Sequence, residues 1–223
     1  MDDIIPEDFT DEDLPEEEKW YRGPAKIILG IALGILVIMM VVPLYAVKLD
    51  PSPKGVPTLS EVVPSDFDGG NESIQGGNVY EYVSLVDGRD SRVKLVVDRI
   101  VAESCESGQR VCHAKALFYF VRDEFDYVSD PLAFDYVKSA PLSLASSGGD
   151  CDDASVLLAN FLGGIGIETR FVFVPGHVWI QARIPDALDT YKEDGWINLD
   201  GTCQYCEFGE IGLPYVEMDR RYV

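Results

Sequence analysis

A cysteine, a histidine and an aspartate stand in that order at Cys151, His177 and Asp200, each in a local context suited to acyl-transfer chemistry. A thiol attacks a carbonyl carbon only while it loses its proton, so a nucleophilic cysteine needs an imidazole, and the imidazole needs a third group to orient it. Cys151 follows the glycine-rich run SSGGD and precedes ASVLLANFL, which places it at the first position of a helix. Unpaired backbone N–H groups and the helix dipole favour a thiolate there. The acids Asp150, Asp152 and Asp153 act the other way, because nearby negative charge raises a thiol pKa unless the carboxylates are consumed in capping. Asp150 suits the N-cap, and Asp153 three residues on approximates a capping box.

The partners of Cys151 must come from later elements. His177 follows the Pro175-Gly176 turn at the mouth of a strand in which alternation sets His177, Trp179 and Gln181 on one face and turns Val178 and Ile180 to the core. In the next strand the same period puts Trp196, Asn198 and Asp200 on one face, so antiparallel pairing brings Asp200 beside His177. Strands are expected over 169–174, 178–182 and 196–199. Upstream, Val93, Val96, Val97, Ile100 and Val101 recur at helical spacing after Asp90 and Ser91. A second helix is expected over 111–125, with Ala114, Leu117, Phe118, Val121 and Phe125 inward and Lys115, Arg122 and Asp123 outward. Helices first and strands later define an α+β class.

Three stretches, GGDCDDASVLLANFL, GHVWIQ and WINLDGTC, resemble the transglutaminase-like superfamily in order and spacing over about residues 109 to 208. The resemblance implies a papain-like core in which Cys151 is the nucleophile, His177 the general base and acid, and Asp200 its orienting partner. It also implies a peptide or protein substrate reached through a thioester, with no cofactor. The superfamily includes hydrolases, cross-linking enzymes and inactive members, so three outcomes stand: hydrolysis of peptide or amide bonds, isopeptide cross-linking, or an anchored binding module without activity. The calcium-binding insertions of the animal cross-linking enzymes have no counterpart here.

Other candidate groups are weaker. Tyr127 and Trp179 carry hydrogen-bond donors suited to a second oxyanion contact, although both fit packing roles better. His113 lies in the second helix, away from the glycine turn. The Asp-x-Asp-Asp run around Cys151 lacks the spacing of a calcium loop, since Ala154 and Ser155 interrupt it, so no metal is expected there. Cys105, Cys112, Cys203 and Cys206 form an even set that suits two disulfides in an oxidising compartment, with a four-thiolate zinc site as the alternative.

Around this domain the chain of 223 residues divides by composition. Residues 1–26 are an acidic tail with ten acids against three bases. From Ile27 to Val47 there are 21 residues without a charge, enough as a helix to cross a hydrocarbon core of about 30 Å. Lys19, Arg22 and Lys26 precede this span and Lys48 and Lys54 follow it, which favours a cytoplasmic tail and an extracytoplasmic domain. Residues 48–78, rich in proline and glycine, read as a linker, and 79–223 as the transglutaminase-like domain. The formal net charge of −21 repels phosphate backbones and excludes nucleic acid as an expected partner.

Overall fold

The computed structural model describes residues 24–76, 78–131 and 136–223, so most of the expected acidic tail lies outside the described residues. Two compact units divide the chain, Met1–Ala46 and Val47–Val223. Helix α1 (Pro24–Leu49) contains the uncharged run. Its stretch Ala25–Val42 has a mean hydropathy of 2.7 and is long and apolar enough to cross a membrane. The apolar side chains there, among them Ile31, Leu36 and Met39, are exposed.

In the second unit, helix α6 (Cys151–Gly164), which follows the short α5 (Ala140–Ser146), packs on a sheet whose strands run in the order β7, β8, β6, β5, β9, and α3 (Ser91–Ser104) and α4 (Arg110–Glu124) pack against α6 and each other. These strands are β5 (Glu168–Val174), β6 (His177–Arg183), β7 (Lys192–Glu193), β8 (Trp196–Leu199) and β9 (Arg221–Tyr222), all antiparallel to their neighbours. Helix α6 is central. From Ala154 to Leu162 every residue is buried, including Val156, Leu157, Leu158 and Phe161, so its apolar residues are distributed around the axis rather than along one stripe. Each such side chain contributes roughly 1.5–3 kcal/mol on leaving water.

The strand period works as expected. Val178, Ile180 and Ala182 of β6 and Ile197 and Leu199 of β8 enter the main core with α6. On the opposite face Val172, Val174 and Trp179 form a second, smaller cluster with Ile211 and Tyr215. The chain after residue 201 therefore covers the face of the sheet that the helices leave open.

The segment 48–78, expected as a linker, is folded onto the domain. Val62 of the short helix α2 (Leu59–Val62) is fully buried, Val56, Leu59 and Phe67 pack against the main core, and β1 (Ser73–Gln75) pairs with β3 (Tyr136–Lys138). A capping box joins Thr58 and Glu61. The physical reason is scattered burial: single apolar residues between prolines each find a niche without making a period. Lys115, expected on the outer side of α4, is 3 % exposed. Its ammonium donates to Asp50 Oδ1 at 2.6 Å, and the Tyr191 hydroxyl donates to Asp50 Oδ2 at 2.6 Å.

Candidate functional site

Helix α6 begins where the sequence places it. Asp150 has extended backbone geometry, and its side chain accepts from Asp152 N at 3.4 Å. The approach is fixed by β4 (Gly148–Gly149), which pairs in parallel with β2 (Asp126–Tyr127). Gly149 admits nothing larger, since a Cβ there would lie 2.5 Å from Asp153 Cβ. Asp153 does not close a capping box as expected. It accepts instead from the Lys138 backbone N–H at 2.7 Å and forms an ion pair with the Lys138 ammonium.

His177 opens β6 after a turn in which Gly176 has φ +78°, a left-handed geometry that favours glycine. The β6–β8 register sets Ile180 opposite Leu199 and Gln181 opposite Asn198. Continued by one residue, it puts Asp200 opposite Trp179, diagonal to His177 on the same face. His177 Nε2 and Asp200 Oδ2 are 2.9 Å apart. The other carboxylate oxygen accepts from Thr202 N at 3.2 Å and from Thr202 Oγ1 at 3.0 Å, so both oxygens of the buried Asp200 are engaged. With Nε2–H donating to Asp200, Nδ1 is the nitrogen left to accept a proton.

Cys151 is a free cysteine, and the Val178 backbone N–H donates to its sulfur. That amide belongs to the residue after His177, so α6 and β6 meet at the thiol. Ser155 Oγ ties the same junction, donating to the carbonyl of Cys151 at 2.6 Å and lying 3.2 Å from that of Val178. Burial pushes the Cys151 thiol up to about 12; the Val178 N–H opposes the rise, and Asp150 and Asp152 add to it. The resting sulfur is therefore protonated, and the helix end expected to favour a thiolate is outweighed by desolvation and adjacent acids.

Those acids converge, with one ligand atom each of Asp150, Asp152 and Asp153 within 4.8 Å of one another. Asp153 is engaged by Lys138, and burial, with Asp150 alongside, pushes the Asp152 carboxyl up to about 9. These roles account for the trio without an ion.

A cleft of about 470 Å³ opens at His177 and Asp200, walled by Tyr127, Tyr205, Gln204 and Tyr215. Of the two oxyanion candidates, Trp179 is excluded: it is fully buried and its indole N–H donates to Asn198 Oδ1 at 3.0 Å. Tyr127 lines the cleft. Thr202 and Tyr215 belong to the site and were not singled out from sequence. Asp-Gly-Thr carried a signal for the first, as an aspartate that folds back on the second residue after it; Tyr215 carried none.

The four remaining cysteines pair as Cys105–Cys112 and Cys203–Cys206. The zinc alternative is thereby corrected, because a sulfur held in a disulfide is no thiolate ligand and the four do not share one centre. The second pair closes the loop just after Asp200, and Cys203 lies in the cleft wall.

No curated protein matches the chain. Residues 98–201 match the model of the transglutaminase-like superfamily, a span that holds Cys151, His177 and Asp200 and ends just beyond the last of them, and this part of the chain is a transglutaminase-like domain.

Proposed function

We propose that the domain is a cysteine-dependent acyl-transfer enzyme on a membrane-anchored chain, hydrolysing peptide or amide bonds through a thioester on Cys151. One observation carries the reading: the hydrogen bond between His177 and Asp200 at the end of β6, where the next backbone N–H already points at the Cys151 sulfur. In the reaction Nδ1 of His177 takes the thiol proton as sulfur bonds to the substrate carbonyl carbon. The imidazolium, held by Asp200, returns that proton to the leaving amine as the C–N bond breaks. A water then attacks the thioester, giving its proton to His177; the C–S bond breaks, the carboxylic acid leaves, and the thiol is restored. Because the resting thiol is neutral, proton transfer accompanies attack rather than preceding it. In the cross-linking alternative a primary amine replaces that water and the product is an isopeptide.

A non-catalytic binding module is the second reading, favoured by the burial that holds the thiol protonated. The full chain in detergent, incubated with p-nitrophenyl acetate and with peptide mixtures, distinguishes them by mass spectrometry of the Cys151 peptide. An acyl adduct is expected on Cys151, reduced by on the order of 10³-fold or more in His177→Ala and by less in Asp200→Asn. Failure of wild-type protein to acylate with any of these probes would favour the binding module. Added methylamine appearing in the product identifies the cross-linking branch.

A further inference from the structure

Asp200 holds the His177 ring by one atom of its edge, which fixes where that nitrogen lies but leaves the ring plane free to rock about the bond. A second contact supplies the missing constraint. The Tyr215 ring lies over the imidazole with centroids 4.1 Å apart and planes within 16°. Trp179 stacks more loosely at 5.9 Å and 29°. Stacking of two rings sets an orientation as well as a distance.

Tyr215 is itself held from several directions. It ends a short 3-10 turn over Leu213–Tyr215, its N–H donates to Gly212 O at 2.9 Å, and its ring joins the cluster of Val172, Val174, Trp179 and Ile211. Downstream, Arg220 donates to Glu193 at 2.7 Å and sits over the Trp179 ring at 5.6 Å, and β9 pairs with β5. Upstream, Gly209 bridges Asn198 and the Cys203–Cys206 bond closes the loop after Asp200. The segment that carries Tyr215 thus lies beyond residue 201, where the family match ends, and is anchored on residues inside the matched span, among them Val172, Trp179, Glu193 and Asn198.

We infer that Tyr215 is a positioning residue: its ring fixes the plane of the His177 imidazole, and with it the direction in which Nδ1 faces, while Nε2 stays on Asp200. The segment after residue 201 thus completes the site that the matched domain begins. The catalytic consequence rests on the acyl-transfer reading above, whereas the stacking itself does not. What Tyr215 supplies is a ring face and not its hydroxyl, so phenylalanine replaces it and an aliphatic residue does not.

The chain has two histidines, His113 and His177, which makes the imidazole directly observable by NMR of the full chain in detergent micelles. Ring-current shielding is expected to move the His177 ring protons upfield of those of His113. The shift persists in Tyr215→Phe and falls in Tyr215→Leu to the smaller part that the more distant Trp179 ring supplies. It also persists in Tyr205→Leu, which removes a different ring from the cleft wall. With p-nitrophenyl acetate, Tyr215→Leu is expected to lower the acylation rate constant by about 10- to 100-fold with little change in KM, the scale on which small misplacement acts, and Tyr215→Phe to restore it. Unshifted His177 protons in the wild-type chain overturn the inference, and so does a Tyr215→Leu variant that acylates as fast as Tyr215→Phe. If the wild-type chain does not acylate at all, the acyl-transfer reading falls, and the NMR comparison alone decides whether Tyr215 sets the ring plane.

Discussion

Asp152 is one residue beyond the candidate nucleophile, buried, and has a carboxyl oxygen, Oδ1, without a hydrogen-bond partner among the described residues. Burial and the Asp150 carboxylate push its pKa up to about 9, and one placement of a proton accounts for both facts: Oδ1–H donating to Asp150. The folded chain then keeps this proton up to about pH 9, whereas in the unfolded chain the group ionises above about 4. Across that window the folded state binds more protons than the unfolded state, so stability is highest below the unfolded value and is lost as pH rises, by on the order of 1 kcal/mol per unit. Asp152→Asn, neutral at every pH, is expected to flatten this slope and to melt higher than wild type at pH 8. Thermal unfolding followed by circular dichroism from pH 5 to 9 at fixed salt tests it; parallel slopes for the two proteins would show that Asp152 is ionised. At this scale the sequence was legible for the helix start at Cys151 and for the pairing of His177 with Asp200, because glycine turn and strand period are local properties. It did not reveal the protonation states, which depend on how deeply α6 is covered by segments far away in the chain.

Among the elements, α4 departs furthest from its periodic pattern. Ala114, Leu117, Phe118 and Val121 are buried as the stripe requires, yet Lys115 is buried as well, because residues 50–62 lie across what the pattern marks as the outer side. A buried ammonium needs its partner, and Asp50 is itself only 25 % exposed in its side chain. Lys115→Ala is expected to lower stability by about 1–3 kcal/mol, the lower range because Asp50 can rehydrate. It is also expected to release the strap, so that trypsin cuts after Lys54 much faster than in wild type, a difference visible by gel and mass mapping. Unchanged cutting would mean that the niches of Val56 and Val62 hold the strap unaided. The strap was missed because prolines interrupt any period, although Thr58-x-x-Glu61 was a readable helix start. The strands 196–199 and 169–174 were legible to within a residue, since alternation between two buried faces repeats over every residue of a strand.

For the whole molecule, composition separates an apolar helix from an acidic domain, and the two call for different measurements. The stretch Ala25–Val42 is expected to keep the chain in the membrane pellet through alkaline carbonate extraction, and deletion of residues 1–46 to move it to the supernatant. Protease added outside intact cells is expected to remove the domain if basic residues orient the helix as proposed; protection of the domain would reverse the orientation. The two disulfides span sequence separations of 7 and 3. Ring closure over so few residues restricts the unfolded chain only modestly, about 2 kcal/mol per bridge in the chain-entropy account. Short contour also settles partner choice: each thiol meets its neighbour at a far higher local concentration than any distant sulfur, so of three arithmetical connectivities the native one forms by proximity. The bridges then act as local braces at the α3–α4 corner and beside the cleft rather than as the foundation of the domain.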